Sequence, residues 1–303
     1  MSRRRNGRTD YVADAIYGPF ANNPSRNRAV TNERMYLRIL AELSVNRFKW
    51  VGLPDTIDER FLELTLFHQA LCVFYFDKDY DRYLALRAAG TGRVNMYDNP
   101  TTFTTIGNGN GQTNKTLKSR ECVPIWANFL RVPDSDICYL YATKLAQVDR
   151  TIEINLKAMR HTSVLFVDEN ERQSYVNLMR QVDEGQPHIF GTPSLDLSKV
   201  QAFNLGIDKD QVPNLMLVKT RLWNECMTLL GINNANQDKK ERLVSDEVAA
   251  NNDQVVAARG VSLNARVMAA EQINRMFGLS VSVGWNPNAD MLARAAAPMN
   301  VSV

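Results

Sequence analysis

The chain has 303 residues, of which 45% are hydrophobic and 23% charged, and its formal net charge is +3. This length and composition allow one large core or two smaller ones, and no apolar run approaches the roughly 20 residues that span a bilayer. The cysteines have neither C-x-x-C spacing nor histidines placed to complete a zinc site; they are Cys72, Cys122, Cys138 and Cys226. Disulfide-rich, zinc-finger and membrane-spanning classes are thus excluded, and we expect a soluble protein made in a reducing cytoplasm.

Positive charge is concentrated at the N-terminus. Residues 1–50 hold nine Arg and one Lys against four acidic residues, a sum of +6, so the other 253 residues sum to −3. Residues 1–30 mix Arg, Asn, Gly, Pro and Ser without apolar periodicity, which predicts a basic, flexible arm. Such an arm indicates a polyanion partner, most often nucleic acid, or else a disordered solubilising tail.

Residues 31–70 carry two helix signals. Thr31 or Asn32 is placed to cap a first helix that runs to about Trp50, because apolar residues recur on one face. The sequence TIDE at 56–59 matches a capping box, in which the Thr and Glu side chains satisfy each other's backbone N–H groups. We therefore expect a second helix at about 58–70.

The region 71–130 is rich in short segments of β-forming residues. Turn signals separate these segments, among them Asp98-Asn99-Pro100 and the glycine-rich stretch 107–111. Several short strands at such spacing predict a small barrel or sandwich. The candidate strands are 72–76, 82–88, 93–97, 101–106 and 116–126.

A long amphipathic helix is predicted after Pro133. Apolar residues recur at steps of three and four over more than six turns, in one unbroken stripe. At 1.5 Å per residue this helix is roughly 35–40 Å long, which favours an element that crosses the molecule. The stripe consists of Ile137, Tyr141, Leu145, Val148, Ile152, Leu156 and Met159.

The region 131–231 contains this helix, a further α/β segment and a third long helix. Asp208 or Asp210 is placed to cap the third helix, and Gly231 supplies a left-handed end. The third helix is apolar over much of its circumference, which is typical of a helix packed on two sides. In the α/β segment we expect a helix at 169–182 and strands at 164–167, 189–190 and 200–203.

A polar segment, 232–250, follows the third helix and cannot form a core. A last helix is predicted at about 263–277 and is ended by Gly278, and a strand is predicted at 281–283. The tail from Asn286 is weakly patterned. We therefore group residues 251–303 as one C-terminal region.

No catalytic or cofactor motif is present. Gly107–Gly111 has no Lys-Ser or Lys-Thr at the distance that a phosphate-binding loop requires, and no helix opens after it, so a hairpin or exposed loop is the better interpretation. Asp246 and Glu247 form an acidic pair, but a two-metal nuclease site needs several carboxylates converging from rigid elements. The sequence therefore predicts no catalytic residue, cofactor or metal.

Three cations in the polar segment are the better candidates for contact with a polyanion. Lys239, Lys240 and Arg242 are interleaved with acidic residues, so residues 238–247 sum to −1. A mixed-charge run is usually a solvated surface, but in a ring the same residues would form belts repeated in every copy. A nearly neutral lining suits the passage of DNA, because each neutralised phosphate adds affinity and hence drag.

A series of ordered, collinear strings carries a family resemblance. They are WNE at 223–225, MT-x-LGI at 227–232, NAN at 234–236, KKER at 239–242, DEV at 246–248 and EQINRMFGLSVSV at 271–283, with F-x-W at 48–50 and LP at 53–54 upstream. These strings resemble the upper collar, or head–tail connector (portal), proteins of phi-29-like short-tailed phages. The resemblance is densest over Leu222–Val283. Upstream, the order of features is similar: an Arg-rich arm, the F-x-W and LP motifs, a β-rich insert and a long helix.

The resemblance implies an α+β portal fold in a dodecameric ring. Three long helices would form a stem around a channel, at Tyr36–Trp50, Ile137–Arg160 and Leu215–Leu230. The region 71–130 would be an SH3-like barrel in an outer wing, 232–250 a channel loop, and 251–303 a crown and tail. In the family such loops are proposed to clamp DNA.

By the same resemblance, DNA contact in the channel falls on Lys239, Lys240, Arg242 and Lys219. Asn214 stands where another lysine of the family is expected, so this channel would be less basic. The arm resembles the family's basic N-terminus, which contacts nucleic acid at the packaging vertex. The residues carrying that contact would be Arg3, Arg4, Arg5 and Arg8.

The implied function is a subunit of a ring-shaped channel for DNA packaging and ejection, at the portal vertex of the virion. The implied partners are further copies of the chain, double-stranded DNA, the major capsid protein, a lower collar or tail protein, and a separate packaging ATPase. Whether a packaging RNA takes part stays open. Two alternatives are another collar or tail structural protein and a DNA-processing enzyme with an unrecognised site.

Overall fold

The structure is a computed structural model that describes residues 28–107, 114–159, 163–165, 173–174, 176–177, 180, 200–202, 211–233 and 245–296. In these residues the helices are α1 (Arg28–Val45), α2 (Glu59–Gln69), α3 (Ser135–Met159), α4 (Gln211–Leu229), α5 (Ser245–Phe277) and α6 (Ala289–Ala296). The strands are β1 (Phe48–Val51), β2 (Leu71–Asp77), β3 (Arg82–Val94), β4 (Pro100–Ile106), β5 (Thr116–Lys118), β6 (Cys122–Trp126), β7 (Ser163–Leu165), β8 (Val200–Ala202) and β9 (Ser282–Trp285). The predicted mixture of helices and strands is confirmed.

The chain divides into two compact units. The first combines residues 1–147 with 218–303, and the second consists of residues 148–217. Within the second unit β7 pairs antiparallel with β8, which agrees with the predicted strands at 164–167 and 200–203. The predicted helix at 169–182 and the strand at 189–190 lie largely outside the described residues.

An antiparallel sheet of five strands occupies the β-rich region, in the order β5-β4-β3-β2-β6. The predicted strand 82–88 continues to Val94 as β3, so only the first two residues of the predicted strand 93–97 are in a strand and 95–97 are not. The predicted 116–126 divides into β5 and β6. The glycines at 90 and 92 do not form a turn, because β3 continues past them with Gly90 paired to Phe103 and a bulge between Thr91 and Val94. Glycine in a strand often marks such a bulge.

The first helix begins and ends earlier than predicted. It starts at Arg28, so Thr31 and Asn32 lie inside it and the predicted cap is wrong. It ends at Val45, and Phe48–Val51 is a strand that pairs antiparallel with β9, so the helix predicted to reach Trp50 was wrong over its last turn. The period changes from helical to alternating at this point: Phe48 and Trp50 are buried, whereas Lys49 and Val51 are exposed.

The predicted capping box is also wrong. Asp58 caps α2, and its side chain accepts the backbone N–H of Phe61 at 3.2 Å. Thr56 donates its hydroxyl to the Tyr83 carbonyl, and Glu59 accepts the Trp50 backbone N–H at 3.0 Å. Aspartate is as good a cap as threonine, and tertiary partners drew the other two side chains away.

The long helices α3 and α4 agree with prediction. In the first unit they pack with α1 around one core that contains Leu40, Tyr141, Leu145, Trp223 and Met227. The predicted stripe on α3 is buried at Tyr141 and Leu145 but not throughout, because Leu156 is 48% exposed.

Helix α5 is much longer than predicted. It has 33 residues and begins at Ser245, which is 18 residues before the predicted start at 263. The last six residues of the predicted channel loop 232–250 are therefore helical. The apolar pattern of α5 is weak because Val255 is buried between exposed neighbours, while three residues buried in one core, Ala269, Ala270 and Ile273, lie near the other end. The tail from Asn286, in which no element was predicted, forms α6.

A second core lies between α5, α2 and one face of the sheet, with Trp50, Leu66, Phe74, Val123 and Ile273 among its members. A third lies on the opposite face. No helix in the described part of the chain is both long enough and apolar enough to cross a membrane.

Candidate nucleic-acid interface

Of the residues predicted to contact DNA, one lies within the described residues and seven lie outside them. Lys219 lies on α4 within the described residues. The other candidates lie outside them; they are Lys239, Lys240, Arg242, Arg3, Arg4, Arg5 and Arg8. The acidic pair Asp246 and Glu247 lies in the first turn of α5.

Lys219 is half-buried beside α1. Its ammonium nitrogen lies 5.5 Å from the ring centroid of Tyr36, a distance at which a cation is attracted by the ring face. Tyr36 itself belongs to the core shared by α1, α3 and α4. The cation that the resemblance assigns to the channel is therefore held close to its own subunit's helices.

The end of α4, where the polar segment begins, is a Schellman motif. Ile232 donates its backbone N–H to the Met227 carbonyl at 2.8 Å, and Gly231 donates to the Thr228 carbonyl at 3.0 Å. Gly231 has φ of +73°, as predicted for a left-handed helix end. A side chain there would meet the backbone N and Cα of Arg259 at 2.7 Å, so α5 packs directly against this turn.

Arg259 and Asp290 hold the chain just beyond that turn. Arg259 Nε donates to the Gly231 carbonyl at 3.1 Å, and its terminal NH2 group lies 3.2 Å and 3.3 Å from the two Asp290 carboxylate oxygens. The Asn233 backbone N–H donates to Asp290 Oδ1 at 3.0 Å. The guanidinium also covers the ring of Trp285 at 3.8 Å. We call Gly231, Asn233, Arg259, Trp285 and Asp290 the loop anchor.

A second arginine joins three of the helices near the same place. Arg47, at the end of α1, donates through NH1 to the Leu230 carbonyl at 2.9 Å and through Nε to the Ser44 carbonyl at 2.9 Å. Its NH2 group forms a buried ion pair with Asp134, which precedes α3. A cation at the C-terminal end of α4 is favourable because the helix dipole is negative there.

The thiols near this region are suited to packing. Burial raises the pKa of Cys138 to about 12, although Arg47 and Ser44 act to lower it and Asp134 adds to the rise. Burial likewise raises the pKa of Cys226. Both thiols are therefore protonated near neutral pH and are poor nucleophiles. Among the described residues no group of three or more His, Cys, Asp or Glu side chains is placed to hold a metal ion.

Sequence reasoning missed the loop anchor and Arg47. In a sequence, a charged residue on a helix is interpreted as facing solvent unless its partner is known. The partner of Arg259 was not evident, because Asp290 lies 31 residues away in a tail where no element was predicted. The one available signal was the left-handed glycine at 231, which marked where the polar segment starts.

Known proteins are similar to this chain over most of its length. The model of the family described as Phage Connector (GP10) matches residues 21–289, which is most of the chain. A solved structure described as the portal and tail of native bacteriophage P68 is similar at 15% identity and a TM-score of 0.48, over 86% of this chain and 88% of that one. The family match covers α1–α5, the five-stranded sheet, β9 and the first residue of α6.

This is an assembly protein of a virus particle: the chain belongs to the Phage Connector (GP10) family. It functions as a head–tail connector, or portal, as the resemblance predicted. Membership implies an oligomeric ring at the head–tail junction of the virion, with capsid and tail partners. The family is not known to be enzymatic.

Proposed function

We propose that the chain is one subunit of a dodecameric ring whose central channel conducts double-stranded DNA during packaging and ejection. The family match over residues 21–289 carries this proposal. In it, α1, α3 and α4 form the stem, 71–130 the wing, and 251–303 the crown and C-terminal tail, with α5 reaching back into the loop region 232–250. The arm comprises residues 1–30.

Exposed apolar side chains on the stem helices support a ring. On α4, Trp223 and Met227 are buried in the subunit, whereas Val218 and Leu229 are 41% and 50% exposed. At 3.6 residues per turn these two lie roughly 120–140° around the helix from Trp223. A helix apolar on two faces needs a second covering partner, and in a ring the neighbouring subunit supplies it.

We propose an SH3-like barrel for the wing. Strand β2 is buried on both faces, because Cys72 and Phe74 belong to the core under α5 while Val73 and Tyr75 pack with Phe103 on the other side. On this second face Phe103 belongs to β4, which β3 separates from β2 in the strand order, so a curved sheet is needed to bring these side chains together. This burial supports a closed or nearly closed sheet.

Within the ring, Lys239, Lys240, Arg242 and Lys219 line the channel and make weak, non-specific phosphate contacts. Arg3, Arg4, Arg5 and Arg8 on the arm bind nucleic acid at the packaging vertex. In each subunit the segment 232–250 begins at the end of α4, where Arg259 and Asp290 bind the backbone. This supports a fixed starting point for the segment that carries the proposed channel cations.

The proposed partners are the major capsid protein, a lower collar or tail protein and a separate packaging ATPase, with a packaging RNA as a further candidate. We propose no catalytic activity and no cofactor for the chain itself. Synthesis would take place in the host cytoplasm, followed by assembly at the portal vertex.

Native mass spectrometry and negative-stain imaging test the ring. We expect twelve copies around a central hole about as wide as duplex DNA. A monomer with metal-dependent nuclease activity would instead support the enzyme alternative and contradict the portal channel.

Neutralising Lys239, Lys240 and Arg242 together tests the channel loop. We expect Lys239→Gln, Lys240→Gln, Arg242→Gln rings to assemble normally but to retain packaged DNA poorly. Loss of the ring in this variant would mean that these residues serve assembly rather than the channel.

Deletion of residues 2–8 tests the arm. Nucleic-acid binding should weaken, and its dependence on salt should become less steep, because four cations no longer displace counterions. Titration at several salt concentrations measures both. Unchanged binding would make the arm a solubilising tail.

A further inference from the structure

The polar segment leaves α4 through a backbone that is bound on both sides of one residue. The Gly231 carbonyl accepts from Arg259, and the Asn233 N–H donates to Asp290. Ile232 lies between them and is fully buried. Gly231 and Asn233 are thus bonded to α5 and α6, while the N–H groups of Gly231 and Ile232 stay bonded to α4.

The polar partners of this backbone are themselves tied together. Arg259 and Asp290 form an ion pair with side chains 21% and 25% exposed, and one Asp290 oxygen accepts from both Arg259 and Asn233. Trp285 lies against the guanidinium, which limits its rotamers. A solvent-exposed ion pair with similar distances would contribute little to stability. This one is partly buried, and its carboxylate also accepts the Asn233 backbone N–H.

We propose that the Arg259–Asp290 ion pair is a positioning device that fixes the backbone at Asn233, the last described residue before the segment with Lys239, Lys240 and Arg242. Lys239 follows Asn233 by six positions, which allows a distance of up to about 20 Å between them. By fixing Asn233, the ion pair therefore limits the region that Lys239 can reach. The fixing of Asn233 by the ion pair is independent of the proposed function, whereas its consequence for DNA contact rests on that function.

Arg259 is a positioning residue here, since it does not need to touch DNA. Its geometry requires a planar, forked donor, because Nε serves the Gly231 carbonyl while the NH2 group serves Asp290. Lysine keeps the charge but cannot make both contacts from fixed positions. Arg259→Lys should therefore resemble the loss of the residue more than a conservative change.

Hydrogen exchange at the Asn233 amide tests the positioning directly. The variants are Asp290→Asn, which keeps the shape of the side chain, and Arg259→Lys, with Arg38→Gln as a control because Arg38 forms a fully exposed pair with Glu42. Hydrogen bonds to charged groups contribute about 1.5–3 kcal/mol, so Asn233 should exchange about tenfold faster or more in both variants and unchanged in the control. Assembled rings are used throughout.

A charge-swapped pair, Arg259→Asp with Asp290→Arg, separates the anchor from general destabilisation. Partial recovery of Asn233 protection in the swapped protein, relative to Arg259→Asp alone, supports a specific pair. Unchanged exchange at Asn233 in Asp290→Asn and Arg259→Lys, with rings intact, overturns the proposal.

DNA retention in the same rings distinguishes this proposal from the channel proposal. Faster exchange with weaker retention supports both. Faster exchange with normal retention supports the positioning device and removes the role of the segment in holding DNA. Normal exchange overturns the positioning device whatever the retention.

Discussion

At the scale of single residues, one buried ion pair joins distant parts of the first unit. Arg266 on α5 donates to both carboxylate oxygens of Glu63 on α2, at 3.0 and 2.8 Å, and to the Ala127 carbonyl at 2.9 Å. Trp50 donates its indole N–H to the same carboxylate at 2.8 Å. Both charged side chains are 2–3% exposed, so each depends on the other for neutralisation.

We predict that Glu63→Gln destabilises the protein by about 3–5 kcal/mol, because the Arg266 charge stays buried without its counter-charge. The denaturant midpoint, measured at fixed protein concentration, checks this. The double variant Glu63→Leu, Arg266→Met should lose much less, since it removes both charges. A single variant as stable as the exposed-pair control Arg38→Gln would show that the ion pair is unimportant.

Asp77 makes stability depend on acid pH. Burial would raise its pKa, but hydrogen bonds from Lys115 and from the Asp79 and Tyr80 backbone outweigh burial and lower it. Since the folded pKa lies below the unfolded value of about 3.9, the carboxylate stabilises the fold above that pH and loses this contribution as pH falls through the folded pKa.

We predict that Lys115→Met moves the acid-unfolding midpoint to higher pH, because Asp77 loses the ammonium that lies 2.7 Å from Oδ1. Circular dichroism during acid titration measures the midpoint. Lys49→Met is the control, since Lys49 forms a more exposed pair with Glu59. Identical midpoints for Lys115→Met and the unaltered protein would contradict the assignment.

At the scale of elements, two glycines end helices with the same backbone conformation but in different surroundings. Gly231 has φ of +73° and Gly278 has φ of +67°. A Cβ at 231 would meet the Arg259 backbone at 2.7 Å, whereas a Cβ at 278 would meet no atom within 4 Å.

We predict that Gly278→Ala costs roughly 1–2 kcal/mol for the left-handed backbone alone, and that Gly231→Ala costs clearly more. The extra loss comes from forcing α5 away from the end of α4. Thermal unfolding of both variants under one set of conditions measures the difference. Equal losses would mean that the contact between this turn and α5 yields easily.

The sequence predicted elements well where one pattern governs them over many residues. The α3 stripe and the glycine ends of α4 and α5 agree with the structure, because helical periodicity and left-handed glycines are local properties. The strand at Phe48–Val51 was missed because its partner, β9, lies more than 230 residues away. The start of α5 was missed because few apolar residues mark it: Val255 is buried, but the two residues on each side of it are exposed.

At the scale of the whole molecule, the apolar faces that one subunit leaves exposed become the test of assembly. Val218 and Leu229 on α4 are partly exposed although they are aliphatic. We predict that Val218→Ser with Leu229→Ser weakens each subunit contact by about 1 kcal/mol per side chain, because less apolar area is covered.

The fraction of protein in rings, measured by native mass spectrometry over a range of concentrations, should fall in this variant. Val94→Ser with Met96→Ser, at exposed positions on the β3–β4 side of the sheet, is the matched control. Circular dichroism should show both variants folded. Equal ring fractions in the two variants would place the subunit contact elsewhere than on this face of α4.

The sequence by itself determined the class of the protein, because ordered strings from WNE to EQINRMFGLSVSV identify a family whatever the fold looks like. It also determined the helices α3 and α4 and where the polar segment begins. Only the tertiary structure decided which charges are buried together. Arg259 with Asp290, and Arg266 with Glu63, are 31 and 203 residues apart, and no local pattern encodes a pairing at such separations.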